Sequence, residues 1–132
     1  MSESSGPRTD DVDAITTAVT DYFQSWFRGE PERMRSVLHP ALAKRTPANP
    51  GGADLGLEED TAETMVASAS RGPRPQFEHW QDVDVLDVSG EIATVVVRSQ
   101  PFVEYVHLAR FDGRWLVVNT LYVDTPPTGP TH

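Results

Sequence analysis

The chain of 132 residues contains no cysteine. That excludes disulfides, thiolate nucleophiles and thiolate metal sites, and leaves cysteine usage silent about redox compartment. No run of about 18 apolar residues occurs, so no segment reads as a membrane-spanning helix. Basic residues are scarce, 11 Lys and Arg against 20 Asp and Glu, for a net charge of -9. Without a basic stripe the chain has no footprint for nucleic acid or for an anionic membrane surface. The acidic excess reads as a solubility device. The first residues, MSESSGPRTDD, lack the apolar segment of a signal peptide, and the expected location is the cytoplasm. His39, His79, His107 and His132 have no ligand-type spacing, so no metal is expected. There is no nucleophile elbow, P-loop or dinucleotide fingerprint, and no cofactor is implied. Asp82, Asp84 and Asp87 sit on strand alternation and lack the glycine and closing glutamate of a calcium loop.

What is present fits one globular domain with a real core, at 38% hydrophobic residues. Residues 1–8 read as a flexible leader, 9–124 as the domain and 125–132 as a flexible tail. Thr9 or Asp10 can cap a helix whose first turn carries Asp11 and Asp13. Val12, Ile15, Val19, Tyr22, Phe23, Trp26 and Phe27 then recur at helical spacing and form one wide apolar face. Gly29 ends that helix. Pro31 opens a second, with Met34, Val37 and Leu38 inward, and Pro40 stops it. Residues 41–46 suggest a short strand, 47–56 a loop, and 58–70 a third helix with an acidic first turn. From Phe77 onward every signal is strand: DVDVLDV, then IATVVVRS, then two arms joined by Asp112-Gly113. Helices first and an antiparallel meander after them predict an α+β domain with the helices on one face of the sheet.

The Asp112-Gly113 turn sets a register for the last hairpin. Arg110 then opposes Trp115, close enough for a cation–π pair. Counting outward without interruption, one face collects Glu104, Val106, Leu108, Arg110, Trp115, Val117, Asn119 and Leu121. The other collects Val103, Tyr105, His107, Ala109, Phe111, Leu116, Val118, Thr120 and Tyr122. Both are mainly apolar, and three helices can cover only one. The second face, with Tyr105, His107, Phe111, Leu116, Val118 and Tyr122, is expected to pack on a second copy of the chain, unless a loop or the tail lies over it.

LHPALAKR at Leu38–Arg45 and VEYVHLARFDGRWLVVNTLY at Val103–Tyr122 carry a family resemblance. The chain resembles the nuclear transport factor 2-like superfamily, and within it the putative lumazine-binding subgroup. That subgroup usually has Asp where Glu104 stands here. The resemblance implies a cone-shaped fold, a curved antiparallel sheet wrapped around the long first helix, enclosing a pocket on the concave side of the last strands. The Glu104 face would then be concave, with Val106, Leu108, Trp115 and Val117 as its lining. Relatives include isomerases, dehydratases and cyclases as well as non-enzymatic domains, so the fold does not decide activity.

Glu104 is the leading candidate site residue. A carboxylate in an apolar pocket suits acid–base work, and Asn119, read as its diagonal neighbour, would orient a substrate. The alternative is a salt bridge from Glu104 to Lys44 or Arg45. Those two residues could equally serve an anionic ligand at the rim or stay solvated. Tyr22 and Trp26 would stack on a flat ligand or simply belong to the core. His39 would cap a helix end or line the pocket. Three functions remain open: a small-molecule-binding pocket for a flat or hydrophobic ligand, an isomerase, dehydratase or cyclase using Glu104 as general acid or base, and a dimeric interaction domain with a vestigial pocket.

Overall fold

The computed structural model describes residues 9–126; the expected leader, residues 1–8, and most of the expected tail, residues 127–132, lie outside the described residues. Helix α1 runs Thr9–Arg28, α2 Pro31–Val37 and α3 Ala62–Ala69. The strands are β1 Leu38–Pro47, β2 Leu57–Asp60, β3 Gln81–Ser89, β4 Ile92–Ser99, β5 Phe102–Phe111 and β6 Arg114–Asp124. The domain is α+β, as expected. Ile15, Val19, Tyr22, Phe23 and Phe27 are buried along one side of α1. They pack on Val95, Val97, Val106, Leu108, Trp115 and Val117 from the sheet's inner face. Gly29 closes α1 at φ 73°. A side chain there would also have to pass within 2.3 Å of the Gly72 carbonyl carbon, so close backbone approach as well as chirality demands glycine.

Two element assignments differ from the sequence reading. The acidic segment Leu57–Asp60 is a strand, not the first turn of α3. The start of α3 is fixed by a reciprocal cap: Thr61 Oγ1 accepts from the Thr64 amide at 3.2 Å, and Thr64 Oγ1 accepts from the Thr61 amide at 2.8 Å. With the helix capped at Thr61, the preceding residues are free to pair with β1, Lys44 opposite Asp60 and Thr46 opposite Glu58. Strand β1 also begins earlier than expected, at Leu38. Its ladder with β6 is irregular between Leu38 and Ala43, and that irregularity holds Pro40, which has no amide to donate.

The sheet order is β2-β1-β6-β5-β4-β3. Strands β3 to β6 form the expected antiparallel meander, but β1 joins β6 in parallel. The sheet is therefore mixed rather than wholly antiparallel. The Asp112-Gly113 turn sets the hairpin register as read: Phe111 opposes Arg114 and Arg110 opposes Trp115. Arg110 lies 5.1 Å from the Trp115 ring centroid. After the fourth pair from the turn, the register slips. Leu108 faces Val117, yet His107 faces Asn119, so Val118 is an extra residue on β6. A bulge of one residue reverses which face each later side chain takes. A second slip, between Val85 and Asp87 on β3, lies across the sheet near the same level.

Candidate functional site

The bulge at Val118 decides the composition of the site. Beyond it, Thr120 and Tyr122 turn inward beside Glu104, while Asn119 and Leu121 turn outward. The expectation that Asn119 accompanies Glu104 is corrected. Its amide nitrogen instead lies 3.1 Å from His107 Nδ1 on the outer face. Tyr122, expected on the outer face, lies inside for the same reason.

Glu104 is buried at the inner end of β5 and meets two partners from other elements. The Tyr22 hydroxyl, from α1, donates to Glu104 Oε1 at 3.0 Å. Lys44 Nζ, from β1, donates to Glu104 Oε2 at 3.2 Å and to the Tyr22 oxygen at 2.7 Å. Glu104 is 2% exposed and Lys44 6%. The ammonium is also ringed by aromatic faces, 4.7 Å from the Tyr122 centroid, 5.2 Å from Tyr22 and 5.8 Å from Phe102. Burial, and then the charge of Glu104, push the Tyr22 phenol well above its ordinary value. Thr120 Oγ1 is buried nearby without a hydrogen-bond partner. Sequence reasoning offered the Glu104–Lys44 salt bridge as one alternative; the structure forms it.

Space beside this cluster is small. A cavity of ≈ 10 Å³ lies among Tyr22, Phe23, Trp26, Lys44, Met65, Phe102 and Glu104, about the room of a single water. Phe102 is shared with a much larger groove of ≈ 490 Å³, lined by Thr46, Pro47, Ala48, Pro50, Glu58, Phe102, Tyr122, Val123 and Asp124. Part of the loop 47–56 thus forms one wall of the groove. The Tyr122 phenol is raised above 10.0, by burial first and then by the charges of Asp60, Glu104, Glu58 and Asp124.

The other residues singled out from sequence are scattered. Val106, Leu108, Trp115 and Val117 lie on the inner face as solid core and border neither space. Trp26 lines the small cavity, donates from its indole nitrogen to Ser68 Oγ at 3.2 Å and carries the Arg74 guanidinium 4.1 Å from its ring centroid. Arg45 alternates outward from Lys44 and lies 3.6 Å from Glu59, away from Glu104. His39 is not at a helix end: its Nδ1 accepts from the Ala41 amide at 2.9 Å, and its ring is 5.0 Å from that of Phe111. Tyr122, Thr120 and Phe102 were missed as site residues. The first two follow from a bulge that leaves no mark in local composition. One available signal went unused: Lys44 is the only lysine in the chain.

A family model described as "Putative lumazine-binding" matches residues 10–123. The chain belongs to this family. Among solved structures, an NTF2-like protein of unknown function from Silicibacter pomeroyi superposes with a TM-score of 0.74 at 15% identity, covering 89% of this chain and 98% of that one. An NTF2-like protein from Shewanella baltica gives 0.69 at 15% identity, with coverage of 92% and 98%. A ketosteroid isomerase-like protein from Erwinia carotovora atroseptica gives 0.63 at 12% identity, with coverage of 91% and 100%. At such identities the likeness establishes the NTF2-like fold alone. No functionally curated protein matches the sequence. Among the described residues no helix is long and apolar enough to cross a membrane.

Two outcomes follow from the buried cluster. Lys44→Met removes one partner of a buried ion pair and is expected to cost about 3–5 kcal/mol in urea unfolding, whereas Lys44→Met with Glu104→Leu should recover most of that loss. Equal losses in the single and double variants would contradict the pairing. The second concerns alkaline pH. A phenol whose pKa is raised on folding contributes fully below the ordinary value of 10.0. Above it the unfolded chain ionises first, so stability falls as pH rises. Tyr22→Phe should flatten this alkaline loss, measured as unfolding midpoint against pH from about 8 to 11.

Proposed function

We propose that the domain binds a small organic molecule in the groove against Phe102 and Tyr122, at the end of the inner face that carries the buried Tyr22–Lys44–Glu104 cluster. The observation that carries this reading is the placement of the ion pair. Burying a lysine and a glutamate adds little stability compared with apolar residues of similar volume. Here the pair lies beside a groove of ligand size whose wall, Phe102, it shares. The family description, which names lumazine, points the same way.

Binding is favoured over turnover. Both oxygens of Glu104 accept hydrogen bonds from the protein, and the space beside them is water-sized. A substrate could reach the carboxylate only after Phe102, Trp26 or Met65 moved. A ligand seated in the groove against Phe102 and Tyr122 needs no such movement.

The outer face supports a second reading, pairing with another copy of the chain. Ile92, Tyr105, Phe111 and Leu121 are exposed there, Tyr105 by 56%. These apolar side chains lie on neighbouring strands β4, β5 and β6 and share one face.

Titration with lumazine and other flat heterocycles, followed by tryptophan emission and melting temperature, should give saturable binding that Tyr122→Ala weakens. A ligand at about 100 times its Kd would raise stability by about 2.7 kcal/mol. If no such compound produces a saturable change, the binding reading fails. Sedimentation of the wild type should show a dimer that Tyr105→Asp converts to monomer; a monomeric wild type at about 100 μM would remove the pairing reading.

A further inference from the structure

The geometry points to an organic cation, an ammonium carried on an apolar body, as the ligand of the groove beside Tyr122. This inference rests on the ligand-binding reading above and names its ligand class. The residues come from four strands. Alternation along β1 and β2 sets Thr46 and Glu58 on the same face as Lys44 and Asp60. Pairing of β5 with β6 sets Phe102 against Asp124 and Glu104 against Tyr122. The groove of ≈ 490 Å³ is thus bounded by two aromatic side chains and the carboxylates of Glu58 and Asp124. Asp60 stands two residues deeper on the strand of Glu58.

Among the described residues no basic side chain lines this groove. Lys44, the nearest below it, is already neutralised by Glu104 at 3.2 Å. Arg45 points to the other face and toward Glu59. An anionic ligand would therefore meet only like charge, the reverse of the anionic ligand at the rim that Lys44 and Arg45 suggested from sequence as one alternative. A neutral flat compound would use the rings and leave the carboxylates idle. Aromatic faces with flanking carboxylates are the recognition chemistry of ammonium groups. The protein already contains one instance: the Lys44 ammonium approaches the Tyr122 ring to 4.7 Å and the Phe102 ring to 5.8 Å from inside. A ligand cation would use the groove side of the same two residues.

Three probes of similar shape test this on the full chain: 2-phenylethylammonium, 3-phenylpropanol and 3-phenylpropionate. Affinities come from amide chemical shifts, and the single lysine, isotopically labelled, reports on the site from Lys44. The ammonium is expected to bind about tenfold more tightly than the alcohol, and the carboxylate more weakly than either. The ammonium should move the Lys44 signal. Asp124→Asn and Glu58→Gln should each weaken ammonium binding by about three- to tenfold and leave the alcohol unchanged. Raising salt from roughly 50 to 300 mM should weaken only the ammonium. Equal or tighter binding of the alcohol or the carboxylate overturns the cation assignment while leaving a ligand site in place. An ammonium preference that survives in the Asp124→Asn, Glu58→Gln double variant puts the cation elsewhere and also overturns it. If neither these probes nor the flat heterocycles bind, the cation and the ligand-binding reading fail together.

Discussion

One extra residue, Val118, governs what the inner face of the sheet can do. Up to Val117 the last hairpin obeys the register set by its Asp-Gly turn, and the inward positions are plain core. After Val118 the parity of β6 is reversed, so Thr120 and Tyr122 enter and Asn119 leaves. Without the slip, Asn119 and Leu121 would stand beside Glu104, and Lys44 would lose its shortest aromatic contact. The bulge therefore builds the aromatic enclosure of the ammonium and supplies the ring that separates the buried cluster from the groove.

The cluster itself joins three parts of the fold that are far apart in sequence. Tyr22 belongs to the first helix, Lys44 to the strand that joins the sheet in parallel, and Glu104 to the meander. Each supplies what another lacks. The carboxylate receives one hydrogen bond on each oxygen, and the phenol both donates and accepts. Burial and the neighbouring carboxylate push the ionisation of that phenol well above its ordinary value. Such a set is sensitive to the loss of Lys44 or Glu104, because the remaining charge would be buried without its counter-ion. It is also poorly suited to proton transfer as it stands, since its acceptors are engaged within the protein.

Much of the architecture was legible in sequence because it rests on periodicity and on turn chemistry. The face of α1, the stop at Gly29 and the hairpin at Asp112-Gly113 are local signals, and the structure follows them. The errors have physical causes of another kind. Glu58, Glu59 and Asp60 read as an acidic first turn, a favourable arrangement at a helix start, but the Thr61–Thr64 cap places that start later. The parallel docking of β1 on β6 is a long-range pairing with no local signature. The candidate site divides the same way. Glu104 and Tyr22 stand out as candidates because their neighbours are apolar, but Asn119 does not join them because a bulge interrupts the register that the turn sets. Pro40 reads as a helix stop, which would put His39 at a helix end or in the pocket, but the residue sits in an irregular strand.

Charge distribution links the two sites. A chain with a net charge of -9 has its one lysine inside, held by a glutamate, and carries arginines elsewhere. The groove immediately outside that lysine receives carboxylates from β2 and β6 and, among the described residues, no basic side chain. Lys44 thus cancels the buried charge of Glu104 without offering its own to a ligand, and the field at the mouth is set by Glu58, Asp60 and Asp124. Moving Lys44 to the rim would reverse the preference of the groove, and its confinement beneath Tyr122 is what keeps the mouth negative.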